Sequence, residues 1–205
     1  MKVEWQYLVV LASAVILAVF EWQRQQFDDI HTLFCIGGAI LSLIVLTAFP
    51  IQIGKMNVSN FMTQMALLNI ILGLPAIRGL PPPTITAPPP HILFIGTTTE
   101  EIFRIASFQM VVEAYAMPNF AVFVSGIVFA AMHMYWYPTE WAFGIVGGML
   151  FSLMLMKFGS PTACVVSHWM YDMLAFGLMP ILPYFGISFF FLIIGQIPVL
   201  KRVEV

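Results

Sequence analysis

Six ionisable residues in three apolar stretches carry whatever chemistry this chain performs. Glu100, Glu101 and Arg104 form the densest charge cluster in the sequence; His133 follows Phe129 by four residues, and His168 and Asp172 are also four apart. On a helix, residues four apart share a face, so Glu100 is expected to meet Arg104, and His168 to meet Asp172. A carboxylate taken out of water holds a proton more tightly, which suits a general base near neutral pH. The residue types therefore fit the activation of a water for hydrolysis. Two histidines with carboxylates (Glu100, His133, His168, Asp172) are also a reasonable ligand set for zinc, although no HExxH is present.

The surroundings make these charges costly. Of 205 residues, 60% are hydrophobic and only 9% are charged, with a mean hydropathy of +0.94. A soluble domain carries roughly a quarter charged residues. This chain cannot cover its surface with polar groups, so lipid must be its solvent. The expected fold is all-α, a polytopic transmembrane helical bundle forming a single integral-membrane domain over 1–205. A net charge of −2 and the lack of a basic stripe give no reason to expect nucleic acid as a partner. Cys35 and Cys164 lie in apolar runs without a CxxC neighbour, and read as buried small apolar residues.

A helix needs about 20 apolar residues to cross the hydrocarbon core. Eight stretches are read as crossings: 5–22, 30–53, 58–77, 91–112, 120–134, 141–158, 161–178 and 181–200. The first has Lys2 alone before it and Glu21-Trp22-Gln23-Arg24 after it, flanks that suit a retained span better than a signal peptide. His31, at the start of the second, reads as interfacial, and Gly37-Gly38 allows close helix contact there. Ser59-Asn60 is the expected N-cap of the third. The chain thus divides into three N-terminal spans (1–77), a linker (78–90), a motif-bearing core (91–178), and a last span with a basic tail (179–205). The linker has six prolines in its last ten residues, which forbid helix and favour polyproline II. A turn around Pro118 is expected over 113–119, and the sixth span holds Gly144, Gly147 and Gly148. With eight crossings both termini share a side. That side collects Lys2, Lys55, Lys157, Lys201 and Arg202 against Arg24 and Arg78, which places the ends in the cytoplasm.

The six charged residues would each need a partner in oil, and satisfying one another in a common cluster is the cheaper arrangement. Their pattern resembles a known family. Glu100-Glu101 with Phe103-Arg104, then Phe129 to His133, then His168 to Asp172, is similar to the three motifs EExxxR, FxxxH and HxxxN or HxxxD of the CPBP family. That family comprises the CAAX proteases and bacteriocin-processing enzymes, also called abortive-infection proteins. The likeness covers about 91–178. It departs at one point: Glu100-Glu101-Ile102-Phe103-Arg104 is EExxR, one residue short. Alignment on Phe103-Arg104 places Thr99 at the family's first glutamate, the general base, and Glu100 at the second.

The resemblance implies an intramembrane endopeptidase in a prokaryotic cell membrane that uses metal-free glutamate chemistry and no cofactor. Its partners would be membrane lipid and a peptide or membrane-protein substrate. Glu100 or Glu101 would activate water with help from His133, Arg104 would hold the glutamates, and His168 with Asp172 would support the oxyanion. Two other readings stay open. The short first motif, Asp172 and 14 methionines fit a non-catalytic membrane subunit that binds another membrane protein. Buried charges can also line a pathway through a small transporter or channel, although no inverted repeat is evident and the Glu/His cluster occupies one half of the chain.

Overall fold

In a computed structural model of the chain, the described residues are 8–9, 12–13, 15–16, 31–48 (side chains from 37), 57–78, 88–133 and 141–197. Among them the secondary structure is helical. The elements are α1 (His31–Ala48), α2 (Val58–Gly73) running into a 3-10 turn (Leu74–Arg78), α3 (Pro90–Tyr115), α4 (Pro118–His133), α5 (Trp141–Phe158), α6 (Pro161–Ala175) and α7 (Ile181–Gly195). The all-α expectation therefore holds. The expected first span, most of the proline linker, the aromatic run after His133 and the basic tail fall wholly or largely outside the described residues. Two helical stretches, Val58–Ile77 and Trp141–Phe158, are long and apolar enough to cross a membrane by length and composition.

Helix ends follow local chemistry. The cap of α2 is Asn57 and not the expected Ser59-Asn60: its side chain accepts the Ser59 N–H at 2.8 Å and the Asn60 N–H at 3.4 Å. An Asx side chain two residues earlier reaches those orphan donors, so both expected cap residues lie inside the helix. The break between α3 and α4 is also shorter than expected. Helix α3 runs through Glu113 to Tyr115, and only Ala116 and Met117 separate it from Pro118. Ala116 turns the chain with φ +53°, and Pro118, whose missing N–H costs nothing at a first helical position, starts α4. Ser160 caps α6 by accepting the Ala163 N–H at 3.1 Å, with Pro161 next.

The chain forms two compact units, Met1–Gln52 with Phe94–Ser152, and Ile53–Leu93 with Leu153–Val205. In the first, α4 and α5 approach through glycine. A Cβ at Gly148 would lie 2.6 Å from Phe129 Cβ and 3.0 Å from Gly126 Cα, and one at Gly144 would lie 3.1 Å from Ala130 Cα. The helix backbones can come that close because no side chain stands between them. Helix α1 comes close to α3 at Gly38, where an added Cβ would meet Thr99 Cγ2 at 3.2 Å.

In the second unit, α2 packs along α7 and α6. Met65, Ala163, Met170, Leu174 and Tyr184 form its buried core. Polar side chains tie this core where water is excluded. The Gln64 amide donates to the Ser160 carbonyl at 2.9 Å and accepts the Ser160 N–H at 3.0 Å. The Tyr184 hydroxyl donates to the Asn69 carbonyl at 2.8 Å, and the Ser59 hydroxyl to that of Gly195. Cys164 is buried and unoxidised, as expected of a small core residue, and its sulfur accepts from Gln64 at 3.1 Å.

Candidate functional site

In the first unit, α3 presents two carboxylates with different surroundings. Glu101 is fully buried and takes both the Nε and Nη2 donors of Arg104 on one oxygen, at 3.0 and 2.5 Å. Arg104 is itself fully buried. The arginine's partner is thus the glutamate three residues before it, where the spacing had suggested Glu100, four before. Positions i+3 and i+4 both neighbour residue i on a helix, so spacing alone does not choose between them. Arg104 Nη1 also donates to Ser152 Oγ of α5 at 2.6 Å, and its guanidinium carbon lies 5.5 Å from the centroid of the Phe151 ring.

Glu100 is one residue and about 100° around the helix from this sealed pair. Its Oε2 lies 3.4 Å from Nε2 of His133, and the two side chains are 8% and 19% exposed. The fully buried Glu101–Arg104 pair has no such opening. Glu100 is buried but not sealed, and its partner His133 is partly exposed, whereas Glu101 and Arg104 are both fully shut in. His133 is in the last turn of α4, and Phe129 holds it twice. The Phe129 carbonyl is 2.8 Å from Nδ1, and the two rings stack with centroids 4.2 Å apart. A carbonyl can only accept, so Nδ1 carries hydrogen in this bond and Nε2 is the nitrogen turned toward Glu100. Contact between Nε2 and a carboxylate is favourable when the two share a proton. The spacing of Phe129 and His133 in the sequence thus has a direct physical meaning.

In the second unit, His168 and Asp172 of α6 share a face as expected. Nε2 of His168 is 3.6 Å from Oδ2 of Asp172; the histidine side chain is 2% exposed and the aspartate 17%. At that separation the pair interacts electrostatically and is longer than a direct hydrogen bond. Trp169, the residue after His168, donates its indole N–H to the Pro90 carbonyl at 3.0 Å. The beginning of α3 and the middle of α6 are tied there.

Sequence reasoning missed two residues next to this chemistry, Ser125 of α4 and Ser152 of α5. Both are fully buried, and their hydroxyls lie 2.6 Å apart. The available signal was weak: each serine lies beside or one turn beyond a glycine, Gly126 and Gly148, where helices pack closely enough for a short side chain to reach across.

The class that fold and geometry define is an all-helical protein with carboxylate–histidine pairs set in apolar helices. Comparison adds a likeness: residues 83–174 match the model described as Rce1-like, Type II CAAX prenyl endopeptidase. That stretch holds all three motifs, and over it the chain is similar to the CPBP family, whose members are membrane-embedded. The chain matches no curated protein and no solved structure.

Proposed function

We propose that this protein is an intramembrane endopeptidase that hydrolyses a peptide bond with Glu100 as general base. The observation that carries the reading is the Glu100–His133 pair, 3.4 Å apart with its histidine partly exposed, beside a sealed Glu101–Arg104 pair. The same contrast supports Glu100 over Glu101 as the base. Glu101 is engaged by Arg104 on one oxygen and serves as the counter-ion that fixes the arginine, leaving base chemistry to Glu100. Thr99, which alignment on Phe103-Arg104 would put at the base position, is buried and lies close to Gly38 of α1. The one-residue shortening is thus accommodated by giving the two roles to the adjacent acidic residues as they stand.

In the proposed reaction a water loses a proton to the Glu100 carboxylate, oriented by Nε2 of His133, while its oxygen attacks the carbonyl carbon. The negative charge moves to the carbonyl oxygen, the atom that preorganised hydrogen-bond donors stabilise in such reactions. Asp172, an acceptor when ionised, orients the His168 ring. Collapse of the tetrahedral intermediate expels the amine, which takes up the proton held by Glu100. No metal or cofactor takes part. The family description makes a prenylated CAAX peptide the first substrate class to try. Eight crossings, with both termini in the cytoplasm of a prokaryotic cell, complete the proposal, supported by the hydropathy and the positive charges flanking the spans.

The experiment is hydrolysis of a prenylated CAAX peptide, carrying a fluorophore and a quencher on either side of the scissile bond, by protein purified in detergent. Glu100→Gln and His133→Ala are expected to lower kcat by about 10²–10⁴-fold, the usual contribution of general acid–base groups. Wild-type rates in Glu100→Gln, Glu101→Gln and His133→Ala alike would end the assignment.

A further inference from the structure

We propose that Ser152 and Ser125 are positioning residues that act through Arg104 to hold the helix bearing Glu100 against the helix bearing His133. For its kinetic consequence the inference rests on the peptidase reading above; for its geometry it stands alone. Arg104 Nη1 has only hydrogens to give, so it donates to Ser152 Oγ, 2.6 Å away. Ser125 donates its hydroxyl hydrogen to the Val122 carbonyl at 2.9 Å, because a carbonyl can only accept. In the 2.6 Å contact between the hydroxyls, Ser152 is therefore the donor. The hydrogen bonds run one way, from the α3 guanidinium through the α5 hydroxyl and the α4 hydroxyl to the α4 backbone.

Most helical serines spend their hydrogen on a carbonyl one turn back. Ser107 does so with Arg104 at 2.7 Å, and Ser188 with Tyr184 at 2.7 Å. Ser152 instead reaches across to another helix. The link is close to the chemistry along both helices. Glu100 precedes Arg104 by four residues, about 6 Å of rise, and His133 follows Ser125 by eight, about 12 Å. Such a tie fixes the rotation of α3, and with it the direction of Glu100 toward Nε2 of His133.

The test compares Ser152→Ala, Ser152→Thr and Ser125→Ala, with Ser188→Ala as a buried serine outside the relay. Two readouts are taken on full-length protein in detergent. The first is kcat and KM on the quenched prenylated peptide, per folded molecule. The second is the imidazole Cε1–H resonance of His133, assigned among the four histidines by His133→Ala. Ser152→Ala is expected to lower kcat about 10–100-fold with KM little changed, the size expected when reacting groups are misplaced by less than an ångström or so. It should also shift the His133 resonance. Ser152→Thr, which keeps the hydroxyl, should restore both, and Ser188→Ala should leave both unchanged. Should Ser152→Ala fail to fold, Ser125→Ala carries the same test, since it leaves Arg104 its acceptor. An unmoved His133 resonance in the alanine variants, or a kcat per folded molecule equal to wild type, overturns the relay. If wild type cleaves no probe, the peptidase reading fails, and the His133 resonance still decides the relay.

Discussion

Replacing Gly148 by alanine tests the packing that supports His133. A Cβ there would lie 2.6 Å from Phe129 Cβ and 3.0 Å from Gly126 Cα, whereas one at the adjacent Gly147 would meet Phe129 Cε1 at 3.8 Å, an ordinary contact. Ordinary contact begins at 3.4 Å, so Gly148→Ala must move α4 from α5 by about 0.8 Å at its tightest point. Rotating a side chain cannot relieve it, because Phe129 Cβ and Gly126 Cα are fixed to the backbone. Overpacking of this kind costs about 1–3 kcal/mol. Either alanine also gains about 1 kcal/mol of helix propensity over glycine. The balance leaves Gly147→Ala stabilised by up to about 1 kcal/mol and Gly148→Ala below it by about 1–3 kcal/mol, on the sum of those two effects. Phe129 is the residue that stacks on His133 and accepts from its Nδ1. Its displacement should open the 3.4 Å separation from Glu100 and lower kcat by up to about 10²-fold. The measurements are unfolding in mixed detergent–SDS micelles followed by tryptophan fluorescence, and peptide hydrolysis by the folded fraction. Gly148→Ala as stable and as active as Gly147→Ala would refute the reasoning.

Other perturbations address separate features. Glu101→Gln leaves the fully buried Arg104 without its counter-ion and should cost about 3–5 kcal/mol of stability, seen as poor recovery of folded protein; Glu100→Gln should fold normally and lose activity. Gln64→Leu removes the partner of both the Ser160 N–H and carbonyl, with an expected loss of about 1–3 kcal/mol in the same micelle assay. Asn57→Ala should cost about 1 kcal/mol through the lost cap of α2, while Ser59→Ala, which keeps that cap, tests instead the bond to Gly195. Metal analysis of the purified protein should find less than stoichiometric zinc, with hydrolysis insensitive to chelators; stoichiometric zinc whose removal abolishes hydrolysis would replace the proposed glutamate mechanism.

Much of the helical scaffold was legible because apolar length and turn residues agree. Trp141–Phe158 matches its expected span end for end, and proline marks the starts of α4 and α6, after Gly159-Ser160 in the second case. Helix ends set by side-chain capping were less legible, since Asn57, Ser59 and Asn60 can all serve as caps and only the chain's path selects Asn57. At the site, the sequence showed which residues carry charge and how they are spaced. It did not show that Glu101, rather than Glu100, closes on Arg104, because one helical step moves a side chain by 100° and both spacings are allowed. Ser125 and Ser152 were unreadable for another reason. A hydroxyl in a small-residue stretch looks like packing until a partner helix is placed beside it.

The sealed guanidinium has a consequence for how this protein can change over evolutionary time. Arg104 and Glu101 are each shut away from solvent, so losing either one strands the other, and the two can drift only by changing together. Glu100 and His133 are less enclosed, with side chains 8% and 19% exposed, so that constraint is weaker for them. A descendant that abandoned chemistry would be free to lose them while retaining half of the acidic doublet and its arginine. In such a lineage an intact Glu101–Arg104 couple would attest to a fold that still stands, and the residue just before it would tell whether the proposed base is still in place.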